Sequence, residues 1–232
     1  MMDALYEAGD PLLTEAELAW LTERGQTLHR GPEHVFFKEG ETTDFVLLIL
    51  KGHVKVSAGR PKRIVAIRKA GEVVGEMSPL RRKPRSATVE TIDEVDALHI
   101  PAARWIEFLD RHPRAARAQL VAKDERLDQA TQRIAEAELA VERRLALAFV
   151  DMIDSGLGGK VGDHIVLRTS QQDLASFAGA SLDAVKKIIR LFKEREIIRT
   201  GRQTVTITRY ETLRRIAGGE LTAAGVDGGA ER

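Results

Sequence analysis

The alternation of apolar and polar positions divides the chain into stretches of different character. Thr14-Glu15-Ala16-Glu17 has the form of a capping box, and Leu18, Trp20 and Leu21 follow with helical spacing. That pattern predicts one short helix ending near Gly25. Short β-rich runs come next: Val35-Phe36-Phe37, Phe45 to Leu50, Val54-Lys55-Val56, Ile64 to Ile67, Val73-Val74 and Val95 to Ile100. Gly31, Gly40, Gly52, Gly59, Gly71 and Gly75 punctuate them. Short strands at this spacing predict a β-sandwich or β-roll.

Pro101 and Pro113 each open a helix. From Pro113 to about Asp154 the chain has no internal Gly or Pro, so one long helix is expected. Leu120, Leu127, Ile134 and Val141 recur every seven residues, with Ala130 and Ala137 three places after two of them. This narrow seam with small residues predicts a dimer interface through those six positions. The alternative is a surface helix packed on its own domain, but the stripe is narrower than such a helix usually carries. Asp124, Thr131 and Glu138 interrupt it.

Ser155 to Gly159 reads as a flexible turn. Ser170-Gln171-Gln172-Asp173 is a second capping box, Gly179-Ala180 a tight turn, and Ser181 a cap for a helix from Leu182 to about Arg195. Val185, Ile188, Ile189 and Phe192 form its apolar face. Two helices across a short Gly-containing turn make a helix-turn-helix. Ile197 to Arg199 and Val205 to Ile207, joined through Gly201-Arg202-Gln203, read as a hairpin wing. The fold class is therefore α+β: a β-roll at 12–112, a dimerisation helix at 113–154, a winged helix-turn-helix at 160–217 and a disordered tail at 218–232.

Composition narrows the chemistry. Of 232 residues, 43% are hydrophobic and 31% charged, as in a globular protein. No apolar run approaches the roughly 18 residues of a membrane span. The N-terminus lacks a signal-peptide pattern, so a cytoplasmic location is expected. The absence of cysteine excludes disulfides, thiol catalysis and cysteine-held metal. Net charge is +1, yet Ile165 to Ala217 alone carries +6, leaving −5 elsewhere. Such a split fits a basic nucleic-acid reader attached to a near-neutral or acidic sensor.

The segment Gly75-Glu76-Met77-Ser78-Pro79-Leu80, a basic loop, then Arg85-Ser86-Ala87-Thr88 carries the most chemistry. A Gly-led turn offers backbone N–H groups to an anion, Arg and Ser supply donors to phosphate oxygens, and a carboxylate accepts from hydroxyls. Together these groups suit a sugar-phosphate. The bland alternative is an internal Glu76–Arg85 ion pair closing a loop. No Walker loop, nucleophile elbow or His-Glu-x-x-His site is present, so no enzyme is expected. His29, His34, His53, His99, His112 and His164 are scattered and imply neither haem nor metal ligation.

That segment resembles the phosphate-binding cassette of cyclic-nucleotide-binding domains, with Gly75, Glu76, Leu80, Arg85, Ser86, Ala87 and Thr88 in register. From about Leu12 to Ala217 the chain is similar to the CRP/FNR regulators, whose order is β-roll, dimer helix and winged helix-turn-helix. The resemblance implies that Arg85 and Ser86 hold a cyclic phosphate, with Glu76 on the ribose 2′-hydroxyl and the Gly75–Met77 backbone beside it. It implies no tightly bound cofactor and a cyclic-nucleotide effector, cyclic AMP foremost. Members that bind cyclic AMP also contact the purine from the dimer helix, near Gln129 and Ala130 here, with Thr131 close by. The usual hydroxyl or Thr-Asn pair is missing, although Gln129 matches the adenine edge. Cyclic GMP, a cyclic dinucleotide or a vestigial sensor on a constitutive DNA-binding protein stay open.

The resemblance also implies a homodimer on a double-stranded DNA operator, with RNA polymerase as a further partner. The family's Ser-Arg-Glu-Thr-Val reading helix becomes Ser181-Leu182-Asp183-Ala184-Val185. Lys186, Lys187 and Arg190 remain for DNA, together with Ser170, Gln171 and the wing residue Arg202. Without the Arg–guanine contact, worth roughly 1–3 kcal/mol of discrimination, a different operator is expected.

Overall fold

The computed structural model describes residues 11–136 and 139–226, with side chains of 132–136 outside that description. The chain divides near Gln132 into two compact units.

In the first unit, helix α1 (Glu15–Thr22) starts at the expected capping box. Thr14 accepts from the Glu17 N–H at 3.3 Å, and Glu17 accepts from the Thr14 N–H at 2.7 Å. Eight strands follow: β1 (Gln26–Arg30), β2 (Val35–Phe37), β3 (Phe45–Lys51), β4 (His53–Ala58), β5 (Arg63–Lys69), β6 (Val73–Val74), β7 (Thr88–Thr91) and β8 (Val95–Pro101). They form two four-stranded sheets, ordered β1-β8-β3-β6 and β2-β7-β4-β5. The apolar run of β3 is unbroken because both of its faces are buried. Val46 and Leu48 join a core with Leu98, Ile100, Trp105 and Phe108, while Leu47 and Ile49 face Phe37, Val54 and Val89. A short helix α2 (Met77–Arg81) lies between β6 and β7, and Trp105 and Phe108 come from helix α3 (Ala102–Arg111), which starts after Pro101.

The β3–β4 turn requires glycine. Gly52 has φ +81°, and a Cβ there would lie 2.2 Å from the Glu94 carbonyl oxygen. Asp93 fastens the same turn by accepting from the His53 N–H at 2.7 Å and pairing with His53 Nδ1 at 2.7 Å.

The long helix is interrupted, which corrects the expectation of one helix over 113–154. Helix α4 (Pro113–Glu136) and helix α5 (Val141–Asp154) are separate, and Ala140 before α5 has an extended ψ of 145°. No Gly or Pro marks the break. Helix α5 buries Leu145, Ala146, Ala148, Phe149 and Met152, and this packing outweighs the local preference to continue. Val141 thus opens α5 rather than extending the seam of α4. Ala137 lies outside the described residues, as does the side chain of Ile134.

Helix α5 belongs to the second unit, with α6 (Gln171–Phe177), α7 (Leu182–Glu194) and α8 (Tyr210–Gly218). Strands β9 (Gly158–Val161), β10 (His164–Arg168), β11 (Ile198–Gly201) and β12 (Thr204–Ile207) form a sheet ordered β11-β12-β10-β9. The stretch read as a flexible turn contributes β9 instead, because Gly158 and Gly159 pair with Leu167 and Val166.

The tail expected to be disordered is ordered through Val226. Ala223 and Val226 are buried. The Ala223 N–H donates to Glu142 of α5, and Arg195 Nη1 donates to the Val226 carbonyl at 3.0 Å. Residues 227–232 lie outside the description.

Helix α4 is tied to α1 by a buried pair. Arg114 Nη2 stands 2.6 Å from Glu17 Oε2, with side chains 11% and 7% exposed. Burial alone would raise the Glu17 pKa, but hydrogen bonds from Arg114 and the Thr14 backbone hold it below its usual value. The pair therefore stabilises fully above the unfolded glutamate pKa of about 4.3, and that contribution is lost as pH falls through the lower folded value. Arg114→Leu, which strands the carboxylate, is expected to cost about 3 kcal/mol in urea denaturation at pH 7. Much of that difference from wild type should vanish as pH falls through the lowered pKa of the folded glutamate.

Candidate ligand cavity and nucleic-acid interface

Between β6 and β7 the chain folds over a cavity of about 260 Å³, just below the roughly 300–1,000 Å³ usual for small-molecule sites. Its wall includes Gly75, Glu76, Met77, Arg85 and Ser86, five of the seven residues expected around a ligand. Gln129 and Thr131 are absent from that wall. Both are exposed, and the Thr131 hydroxyl donates at 2.9 Å to the Leu127 carbonyl of its own helix. Helix α4 reaches the cavity instead through Arg126 and Ala130, one turn apart, Ala130 being a seam position as well. Gln129 and Thr131 flank Ala130 and so point elsewhere within this chain.

Arg85 is buried, with a guanidinium sandwiched between Phe37 and Phe45, 4.0 and 4.8 Å from the ring centroids. Nε donates to Thr43 Oγ1 at 2.7 Å, Nη1 to the Gly75 carbonyl at 2.6 Å and Nη2 to the Phe45 carbonyl at 2.7 Å. A guanidinium has five N–H donors, so these bonds leave two for a ligand. Burial lowers the Arg85 pKa from its ordinary value, with Asp44, Glu76 and Glu41 opposing that shift. Burial and the Arg85 charge likewise lower the pKa of His99, which stacks 4.5 Å from Phe45.

Glu76, also buried, makes its close ion pairs elsewhere than with Arg85, the partner weighed in the bland alternative, and acts on Arg85 only through space. Its partners are on α4: Lys123 Nζ at 2.6 Å and Arg126 Nη1 at 3.2 Å. Arg126 Nη2 also donates to the Val73 carbonyl at 3.0 Å. Lys123, Arg126 and Thr43 were missed in the sequence. The two cations lie three residues apart on α4, with Lys123 bordering the Leu120–Leu127 seam and Arg126 a further step round the helix from it, and that offset was the available signal. Ser86 is exposed at the rim.

The outer face of α4 carries the seam. Leu120 and Leu127 are 67% and 63% exposed, large values for leucine, and Val121 is exposed beside them.

In the second unit, Val185, Ile189 and Phe192 bury one face of α7 while Asp183, Lys186, Lys187 and Arg190 are exposed on the other. Lys186 and Asp183 stand 3.9 Å apart on the surface, a separation that contributes little. Ser181 caps α7 by accepting from the Ala184 N–H at 3.2 Å, and Ser170 caps α6 by accepting from the Asp173 N–H at 3.0 Å. Leu182 is half-buried, Gln171 exposed at the start of α6, and Arg202 exposed at the wing tip between β11 and β12. Among the described residues no cluster suits a metal ion, and no helix is long and apolar enough to cross a membrane.

Residues 28–112 match the model of the cyclic nucleotide-binding domain, and residues 143–216 that of the Crp-like helix-turn-helix domain. The cyclic AMP receptor protein of Thermus thermophilus is 26% identical over 196 residues, 79% of this chain and 84% of that protein. The CRP-like cAMP-activated global transcriptional regulator of Mycobacterium tuberculosis is 26% identical over 207 residues, 86% of this chain and 92% of that one. Among solved structures, the c-di-GMP responsive global regulator of Xanthomonas campestris is similar with a TM-score of 0.75 at 18% identity, over 84% of this chain and 99% of that one. A CRP-family regulator from Thermus thermophilus gives 0.71 at 18% identity, over 82% and 96%. At such identities the structural likeness is one of fold. The relatives are transcription regulators, not enzymes.

Gly75 has φ +81°, and a Cβ there would stand 2.6 Å from Arg85 Nη1 and 3.1 Å from the Phe37 ring. Gly75→Ala is therefore expected to lower stability by about 1–3 kcal/mol through backbone strain alone, measured by chemical denaturation. An unchanged midpoint would mean that the Arg85 cradle yields without cost.

Proposed function

Since the chain belongs to the CRP/FNR family of transcription regulators, we propose that it is a homodimer whose affinity for operator DNA is set by a cyclic mononucleotide in the β-roll cavity. The observation that carries this reading is the shared wall: the cassette and helix α4 line one cavity. A ligand there touches the helix whose other face bears the exposed Leu120 and Leu127. Ribose and cyclic phosphate suit Glu76, Arg85 and Ser86, and about 260 Å³ holds one nucleotide more readily than two. Ligand-dependent packing of two α4 helices then repositions two α7 helices, each with Lys186, Lys187 and Arg190 toward DNA and Arg202 on the wing. Half-sites about one helical turn, roughly 34–36 Å, apart follow from that symmetry. A regulator of this kind works in the cytoplasm, where the operator is.

A second reading is a constitutive DNA-binding protein. It is favoured by one observation: Glu76 and Arg85 already have protein partners.

Titration calorimetry with cyclic AMP, the nucleotide for which two relatives are named, separates the two readings when paired with DNA-binding anisotropy. Saturable binding weakened by Ser86→Ala, together with nucleotide-dependent DNA affinity, supports the sensor. Ser86 is the better control because Arg85→Ala also removes three bonds that hold the loop. Equal DNA affinity with and without nucleotide supports the constitutive protein. Lys187→Ala or Arg190→Ala is expected to weaken DNA binding and to reduce the salt slope by about one for each phosphate no longer neutralised. Salt-insensitive binding would sink both readings.

A further inference from the structure

The match to the Crp-like helix-turn-helix domain stops at residue 216, yet the second unit continues as ordered chain to Val226. We propose that this last segment is a strap that positions the reading helix α7 against α5, so that operator affinity depends on it. The proposal rests on α7 being the helix presented to DNA, the reading given above.

Three tethers hold the strap, and two of them come from adjacent residues in the first turn of α5. Arg143 donates to the last carbonyls of α8, from Nε to Ala217 at 2.9 Å and from Nη2 to Gly218 at 3.2 Å. Its charge there also meets the negative end of the α8 dipole. Glu142 accepts from the Ala223 N–H, where the chain makes a single 3-10 turn (Ala223–Gly225). The third tether sits at the end of α7. Arg195, its C-terminal cap residue, donates from Nη1 to the Val226 carbonyl at 3.0 Å. Ala223 is fully buried, Val226 nearly so, and the 3-10 turn contacts α7. The strap thus joins the start of α5 to the end of α7.

That junction matters because of how α7 is otherwise held. Val185, Ile189 and Phe192 bury one of its faces, and apolar packing is non-directional. Hydrogen bonds at fixed donors and acceptors add the direction that packing lacks. Lys186, Lys187 and Arg190 lie on the exposed face, and any freedom left in α7 must be removed when they dock, at a cost in affinity. A strap that removes this freedom beforehand strengthens binding with no DNA contact of its own. Its charge acts in the opposite sense. Residues 220–232 carry Glu220, Asp227 and Glu231 against Arg232, so removing them makes the protein more positive. Electrostatics alone then predicts tighter binding to DNA, not weaker.

The test compares the full-length protein with a chain ending at Gly219 and with two full-length variants, Glu142→Ala and Glu142→Gln. The probe is duplex DNA selected by the wild-type protein from a randomised library, and affinity is read by anisotropy over a range of salt. The shortened chain is expected to bind about tenfold more weakly, with an unchanged salt slope because the DNA-facing cations are all kept. Amide hydrogen exchange in the last turn of α7 is expected to quicken. Glu142→Ala is expected to weaken binding about threefold. Glu142→Gln loses the same charge but keeps a carbonyl acceptor, and is expected to bind as wild type does. Should the shortened chain fail to fold, the two Glu142 variants decide the matter alone. Binding by a folded shortened chain as tight as wild type or tighter, or equal affinity in the two Glu142 variants, overturns the proposal and leaves the DNA reading intact. Weaker binding without faster exchange in α7 overturns the positioning role. No salt-sensitive binding by the wild type overturns the DNA reading and this proposal with it.

Discussion

A charged group withdrawn from water must meet opposite charge or well-aimed dipoles, and that requirement organises helix α4. Glu17 and Glu76 are buried carboxylates from different parts of the chain, and α4 answers both. Arg114 meets the first, and Lys123 with Arg126 meets the second. The two stations lie roughly 14–18 Å apart along the helix at about 1.5 Å per residue. Apolar packing tolerates rotation of a helix by a fraction of a turn, whereas ion pairs at two heights do not. They fix which face of α4 is inward, and the exposure of Leu120 and Leu127 follows from that choice.

The same requirement explains the cavity. Its two buried ionic groups take their direct contacts from different partners, Glu76 from α4 and Arg85 from carbonyls, a hydroxyl and two aromatic rings, while Asp44, Glu76 and Glu41 act on the Arg85 charge through space. Arg85 is therefore a structural strut as well as a candidate binding group. It joins the Gly75 turn, the start of β3 and Thr43.

Much of this was legible in the order of residues. The Thr14 box, the strand-length apolar runs and the Gly75–Thr88 motif each have a local signature, and each lies where its pattern indicated. The helix-turn-helix did as well, because Ser170 and Ser181 are short-range caps. What escaped depends on long-range contacts. Nothing near Ala140 says that α5 packs into the second unit, so the interruption was invisible. Gly158 and Gly159 look like a turn until β10 supplies a pairing partner. The tail after Gly218 looks featureless, yet Ala223 and Val226 are buried by residues as distant as Glu142. Arg126 was hidden for a different reason: a charged residue on a helix ordinarily faces solvent, and its buried partner is fifty positions away.

The double duty of Arg85 has an evolutionary side. A descendant that stopped responding to any nucleotide would still need this arginine to hold its loop, and Gly75 to make room for it. Selection for folding alone would keep both letters of the motif long after selection for binding had ended. Ser86, at the rim and free of that burden, would be among the first to drift. In this fold the exposed hydroxyl is therefore a better marker of a living sensor than the buried arginine.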